Sequence, residues 1–291
     1  MSDWYQIENS DLTLQVTTKG AELKRLFSKL WNRELLWQDQ DKLWNRTSPV
    51  LFPIVGKLHQ DSYVLNGKKY EMMQHGFARD LEFECTAYEG ERLEFLLRDS
   101  ELTATFFPFK FSLYLEYKIS DRKLTTKYTV INNDVEEMPF SIGAHPGFSI
   151  QHFKQSYVQF SHFEKEYYKL NASYVDFTRA HPLSSSKLEL TPDMFKDDAW
   201  IFKDLQSKYV DLIDIKRLEM LRMHLDKTPY FGLWSKDPQK FLCLEPWWGV
   251  ADVHQRSADF KDKIGTMILK PQERKSFQFS LELFNLEKSI E

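Results

Sequence analysis

Apolar and polar residues alternate in twos along most of this chain. Leu12, Leu14 and Val16 share one side of such a segment, Phe109, Phe111, Leu113, Leu115 and Tyr117 repeat the pattern, and Phe277, Phe279, Leu281 and Leu283 close the chain with it. A period of two sends successive side chains to opposite faces, so each segment predicts a half-buried strand. More strands are expected at 81–86, 93–98, 124–131, 138–142, 210–215, 218–225, 230–234, 241–245 and 267–269, and helical periodicity is nowhere sustained for ten residues.

The punctuation between these runs is equally specific. Asn66-Gly67 between alternating segments predicts a two-residue type I′ hairpin. A hairpin is expected over 21–37 with its turn near Asn32-Arg33, and a short helix over Asp39–Trp44. Pro49 and Pro53 exclude a regular central strand from Arg46–Pro53, which is read as an edge or rim. His75–Arg79 reads as a loop, 153–187 as loops and short strands, and Thr191-Pro192-Asp193 as the start of a helix or turn. The expected architecture is all-β, an antiparallel two-sheet sandwich with few short helices. With no Pro/Gly/Ser-rich linker, charge block or repeat, residues 1–291 are read as a single domain.

Composition narrows the partners. A formal net charge of −4 without a Lys/Arg run argues against nucleic acid or an anionic membrane as the main partner. No apolar run approaches the ~18 residues of a membrane span, and the first residues carry no basic-then-apolar leader, so a cytoplasmic location is expected. Cys85 and Cys243 lie far apart in apolar runs and read as buried, reduced thiols. The 15% aromatic content suits a sheet protein with aromatic-lined surfaces.

Candidate chemistry concentrates at two stretches. In Gly143-Ala-His145-Pro-Gly147, the proline restricts His145 to extended backbone and the glycines permit angles a larger residue resists. In Leu242-Cys-Leu-Glu245-Pro-Trp247-Trp248-Gly249, an apolar run ends in a carboxylate pinned by the next proline. Each has a structural alternative: His145 satisfying a carbonyl at a strand end, Glu245 as a charge at a strand mouth, Trp247 and Trp248 as core. His75 with Arg79 reads equally as a solvated turn or as an anion or hydroxyl contact. The absence of closely spaced histidines or a Cys-x-x-Cys argues against a zinc site, and no glycine-rich phosphate loop or Gly-x-Ser-x-Gly elbow is present. An acid, an imidazole and adjacent indoles point to proton transfer on a molecule with a flat apolar face.

Arg46-Thr-Ser-Pro-Val-Leu-Phe-Pro53, His75-Gly-Phe-Ala-Arg79, Gly143-Ala-His-Pro-Gly-Phe148 and Cys243-Leu-Glu-Pro-Trp-Trp-Gly249, in this order across nearly the whole chain, resemble the aldose 1-epimerases and most of all their LacX-like branch. The resemblance implies a β-supersandwich with a sugar cleft and no cofactor. It implies His145 as general acid, Glu245 as general base, and His75, Arg46 and Asp198 as sugar contacts, with Asp197 as the alternative to Asp198. Hexose-6-phosphate mutarotases are similar too, and there the arginines matching Arg46 and Arg79 bear on the phosphate. Trp247 or Trp248 is expected to stack on the sugar. The partner is then a sugar or sugar phosphate, with a carbohydrate-binding protein lacking turnover as the alternative. Ordinary values of ~6.5 for histidine and ~4.3 for glutamate put the pair close to the protonation states such chemistry needs.

Overall fold

The computed structural model describes residues 2–253 and 259–287. Two antiparallel nine-stranded sheets dominate it, with a four-stranded sheet formed by residues 4–34 and two two-stranded ribbons beside them. The first large sheet is the alternating one: along Lys123–Asn132 every second residue is buried, and Phe111–Ser120 continues the pattern. Its last strand, Arg274–Asn285, pairs with Lys123–Asn132 on one side and Glu219–Leu225 on the other, so the C-terminal segment joins the two halves of the sheet. Buried apolar residues from Ile7 to Leu283 form one continuous cluster, in which Phe52 packs against Phe77, Phe107, Phe111 and Phe140.

The second large sheet carries both candidate stretches. Its strand Phe241–Trp248 is buried at all eight positions. Ile142–Ala144 pairs with it as Gly143↔Trp247, the chain then leaves the ladder at His145-Pro146, and Gly147–Ser149 rejoins as Gly147↔Cys243. Both pairings keep one register, so His145 falls opposite Glu245. Residues directly opposite in an antiparallel pair share a face and stand close together. The two sequence stretches are thus adjacent strands of one sheet.

The expected hairpin at Asn66-Gly67 forms, with both residues at positive φ. The 21–37 hairpin forms with Asn32 in its turn, and Val50–Leu51 closes one edge of the second sheet. One local expectation fails. Asp39–Trp44 is a turn, since Asp39 (φ 51°) and Lys42 (φ 53°) occupy the left-handed region that a helix cannot use, and the Asp39 carboxylate accepts the Trp44 N–H at 2.9 Å. The expected loop at His75–Arg79 forms and runs into a 3-10 turn, Ala78–Asp80. Among the described residues the one α-helix is Glu101–Phe106, capped by Ser100, and no helix is long and apolar enough to cross a membrane.

Candidate active site

Alternation along Phe241–Trp248 decides which side chains face the open side of the second sheet. Cys243, Glu245 and Trp247 have one parity; Leu244, Pro246 and Trp248 have the other. Trp247 lies along the sheet, over Gly232 on the strand Tyr230–Trp234 and beside Gly143 on the other neighbour. A Cβ at Gly232 would come within 2.5 Å of the indole, and one at Gly143 within 2.7 Å. Two neighbouring strands therefore leave room for one indole.

Above this surface opens a cleft of about 740 Å³. His145 and Glu245 form part of its lining, with Nε2 of the imidazole 3.2 Å from Oε2 of the carboxylate. The distance is that of an ion pair, but the angles do not satisfy a hydrogen bond, and His145 Nδ1 likewise has no partner. The two side chains are 10% and 1% exposed. Burial pushes the imidazole down to about 3, against the pull of its own backbone and with the Arg79 guanidinium adding to the effect. Burial pushes the carboxyl well above the ordinary glutamate range; the Trp247 indole N–H opposes this and the Asp198 charge reinforces it. The sequence expectation of near-ordinary titration is corrected: low dielectric disfavours each isolated charge, moving the imidazole down and the carboxyl up.

His75 lines the same cleft from a backbone at φ 66°, its ring near-perpendicular to His145 at 5.7 Å between centroids. The Gly56 N–H donates to His75 Nδ1 at 3.1 Å. An accepting Nδ1 fixes the neutral tautomer with its proton on Nε2. Burial, with His145, Arg79 and Arg46 adding like charge, holds this ring well below the ordinary histidine range. Asp198, at φ 77°, accepts the Ala199 N–H and lines the cleft, whereas Asp197 turns away to Lys169 at 3.1 Å. Backbone strain of this kind concentrates where side chains must be aimed.

Two expected contacts do not reach the cleft. The Arg46 guanidinium pairs with Asp80 at 2.7 Å and donates to the Arg79 carbonyl, lining a separate groove on the far side of Arg79. Trp248 belongs to the core, donating to the Lys227 carbonyl and packing on Phe277. Arg79 borders both cavities, its Nη2 donating to the Gln74 carbonyl. The sequence reading missed Trp44, Trp234, Lys57, Lys196 and Lys236, all of which line the cleft. Nothing in their immediate sequence marks them; only the position of Lys57 beside the Pro53–Gly56 stretch hints at the rim.

Cys243 stands beneath the pair, its sulfur within 4.8 Å of the nearest donor atoms of His145 and Glu245. Burial, with Glu245 adding, pushes this thiol well up.

The family model described as aldose 1-epimerase matches residues 3–282. The chain belongs to the aldose 1-epimerase family. It is 26% identical to Protein LacX of Lactococcus lactis subsp. lactis, over 96% of this chain and 99% of that one. Among solved structures it is similar to a galactose mutarotase related enzyme from Lactobacillus acidophilus, with 31% identity, a TM-score of 0.93, and coverage of 99% and 100% of the two chains. It is also similar to a galactose mutarotase-like protein from Lactobacillus casei, with 27% identity, a TM-score of 0.91, and coverage of 97% and 100%. The family-level resemblance in the motifs, and the curled antiparallel architecture it implies, are both borne out.

Two outcomes are expected from this geometry. The unfolded chain protonates its histidines near ~6.5 while burial holds His75 well below that value in the fold, so its contribution to stability is lost as pH falls below ~6.5, by up to ~1.4 kcal/mol per pH unit, whereas the raised Glu245 carboxyl offsets the like contribution of His145. Urea midpoints between pH 7 and 5 are to be compared with those of His75→Gln, whose decline is expected to be shallower; equal slopes reject the buried neutral ring. Gly232→Ala drives a methyl group into the Trp247 indole and is expected to cost roughly 1–3 kcal/mol, read as a lowered melting temperature.

Proposed function

We propose that this aldose 1-epimerase family member interconverts the α and β anomers of a hexose, with a hexose carrying an anionic group such as a 6-phosphate as the preferred substrate. The observation that carries the reading is the 3.2 Å approach of the His145 imidazole to the Glu245 carboxylate within an open cleft. Mutarotation acts on two oxygens bonded to the same carbon, the C1 hydroxyl and the ring oxygen O5. An acid and a base that serve both must therefore stand side by side.

The working form is the ion-pair tautomer of the one-proton pair. Glu245 takes the proton of the C1 hydroxyl while the His145 imidazolium gives its proton to O5. The C1–O5 bond breaks, C1 becomes an aldehyde carbon, and O5 becomes a hydroxyl. After rotation about C1–C2, O5 attacks the other face of C1, His145 recovers the proton from O5, and Glu245 returns its own to the former carbonyl oxygen. Each acid or base step contributes typically 10²–10⁴-fold. Trp247 supplies an apolar face for the sugar, and His75 Nε2–H and the Asp198 carboxylate hold hydroxyls.

Charge favours the anionic substrate. Lys57, Arg79, Lys196 and Lys236 line the cleft against Asp198 and the carboxyl of Glu245, in a chain whose net charge is −4. A locally positive cleft raises the local concentration of an anion.

The test is polarimetry on freshly dissolved single anomers of glucose, galactose and their 6-phosphates. Faster relaxation without new reducing ends supports the reading; sugar binding with unchanged relaxation points to a binding protein, and new reducing ends from an oligosaccharide point to a hydrolase. Glu245→Gln keeps the shape and removes the base, so turnover is expected to fall at least ~100-fold with substrate affinity within ~10-fold; a near-normal rate rejects the role. Arg79→Ala is expected to weaken the 6-phosphates at least ~10-fold more than the free hexoses, and equal losses on both discard phosphate recognition by this arginine.

A further inference from the structure

The His145 ring is covered on one face by an indole that the reaction scheme does not use. Trp44 stacks on it with centroids 4.9 Å apart and planes 29° from parallel. Trp44 is in turn stacked with Phe241, 5.6 Å away and 4° from parallel, and Phe241 with Trp37 at 4.7 Å. Trp234 meets both Trp44 and His145 near-perpendicularly at 5.7 Å.

This stack is built rather than incidental. The Trp44 N–H is held by the Asp39 carboxylate and its carbonyl by the Trp37 indole N–H, each at 2.9 Å. Trp37 and Thr47 bond through their backbones to Gly147, at 2.8 and 2.9 Å, tying the segment 37–47 to the strand that follows His145. A Cβ at Gly147 would stand 2.8 Å from Trp44 Cζ3. The glycine two residues after His145 therefore makes room for the indole.

We propose that Trp44 is a positioning residue for the acid: its indole face stabilises the imidazolium by cation–π attraction and shifts the shared proton from Glu245 Oε2 towards His145 Nε2. In that shift the carboxyl O–H bond breaks and the imidazole N–H bond forms, leaving carboxylate and imidazolium with no net change in protons. A cation within ~6 Å of an indole centroid is attracted by the ring quadrupole, most strongly in a desolvated site. The neighbours supply little else in favour of the cation. Arg79 repels it, His75 is a neutral donor, the Cys243 thiol is protonated, Trp234 is uncharged, Lys236 lines the same cleft, and Asp198 acts against the Glu245 carboxylate rather than on the ring. The backbone of His145 itself, the Glu245 carboxylate and the Trp44 face are what remain to stabilise imidazolium, and of these only the indole can be weakened without touching the pair.

The kinetic consequence rests on the mutarotase reading; the proton bias does not. Site-specific replacement of Trp44 by mono- to tetrafluorotryptophan keeps the indole shape and weakens its face. With the polarimetric assay, kcat is expected to fall stepwise, reaching about tenfold for the tetrafluoro form, with KM within ~3-fold. Trp44→Phe is expected to retain kcat within ~3-fold and Trp44→Leu to lose ~10-fold or more. A rise in KM at constant kcat would make Trp44 a sugar platform and overturn the proposal, as would a fluorinated series with unchanged kinetics. If the native chain does not speed anomer relaxation, the function reading falls by itself, and the ring 15N shifts of His145 at pH 7 decide this one. An Nε2 shift moving away from the imidazolium value with fluorination supports it; an unmoved shift rejects it.

Discussion

Burying a carboxylate costs several kcal/mol unless a charge, hydrogen bonds or a proton compensates, and Glu245, 1% exposed, lies on a strand buried along its whole length. Neither group titrates in its ordinary range: low dielectric disfavours each isolated charge, moving the imidazole down and the carboxyl up. The two stand 3.2 Å apart, near enough for one proton to serve both in the proposed reaction. The surrounding features act on this pair: Arg79 disfavours the imidazolium, the Trp247 N–H favours the carboxylate, and Asp198 disfavours it.

The scaffold sets the distance through strand register. Gly143↔Trp247 and Gly147↔Cys243 belong to one ladder interrupted at His145-Pro146. A slip of one residue would turn Glu245 into the core and Trp248 into the cleft. That slip is blocked by side-chain volume, since Gly143 and Gly232 fit beside Trp247 and nowhere else on that strand is an indole flanked by two glycines. Packing in the sheet and placement of His145 beside Glu245 are consequently one specification.

Much of this was legible in the sequence because it is local. Alternation marked the strands, Asn66-Gly67 marked its hairpin, and the motifs around His145 and Glu245 marked two rigid strand ends. Counting parity from Glu245 also separates Trp247 from Trp248, so the misplaced Trp248 reflects a rule that was available. Arg46 was lost for a different reason. Its partner Asp80 is 34 positions away, and long-range charge pairing leaves no trace in spacing. Trp44 was hidden inside a segment whose helix-like composition conceals two positive-φ residues, and the protonation of the pair depends on burial, which no motif records.

In the proposed function, a buried pair working with one proton matches the demands of anomer exchange better than those of hydrolysis. Ring opening and reclosure take up and release the same number of protons at the same two atoms, so the catalyst ends each cycle as it began and needs no exchange with solvent. A hydrolase must admit a water molecule and discharge a leaving group, and its acid must be recharged from outside. Low dielectric around the pair would slow that recharging, whereas here it strengthens the interaction of each developing charge with its neighbour. The burial that makes Glu245 expensive to hold is thus the same property that suits it to a reaction in which the proton never has to leave.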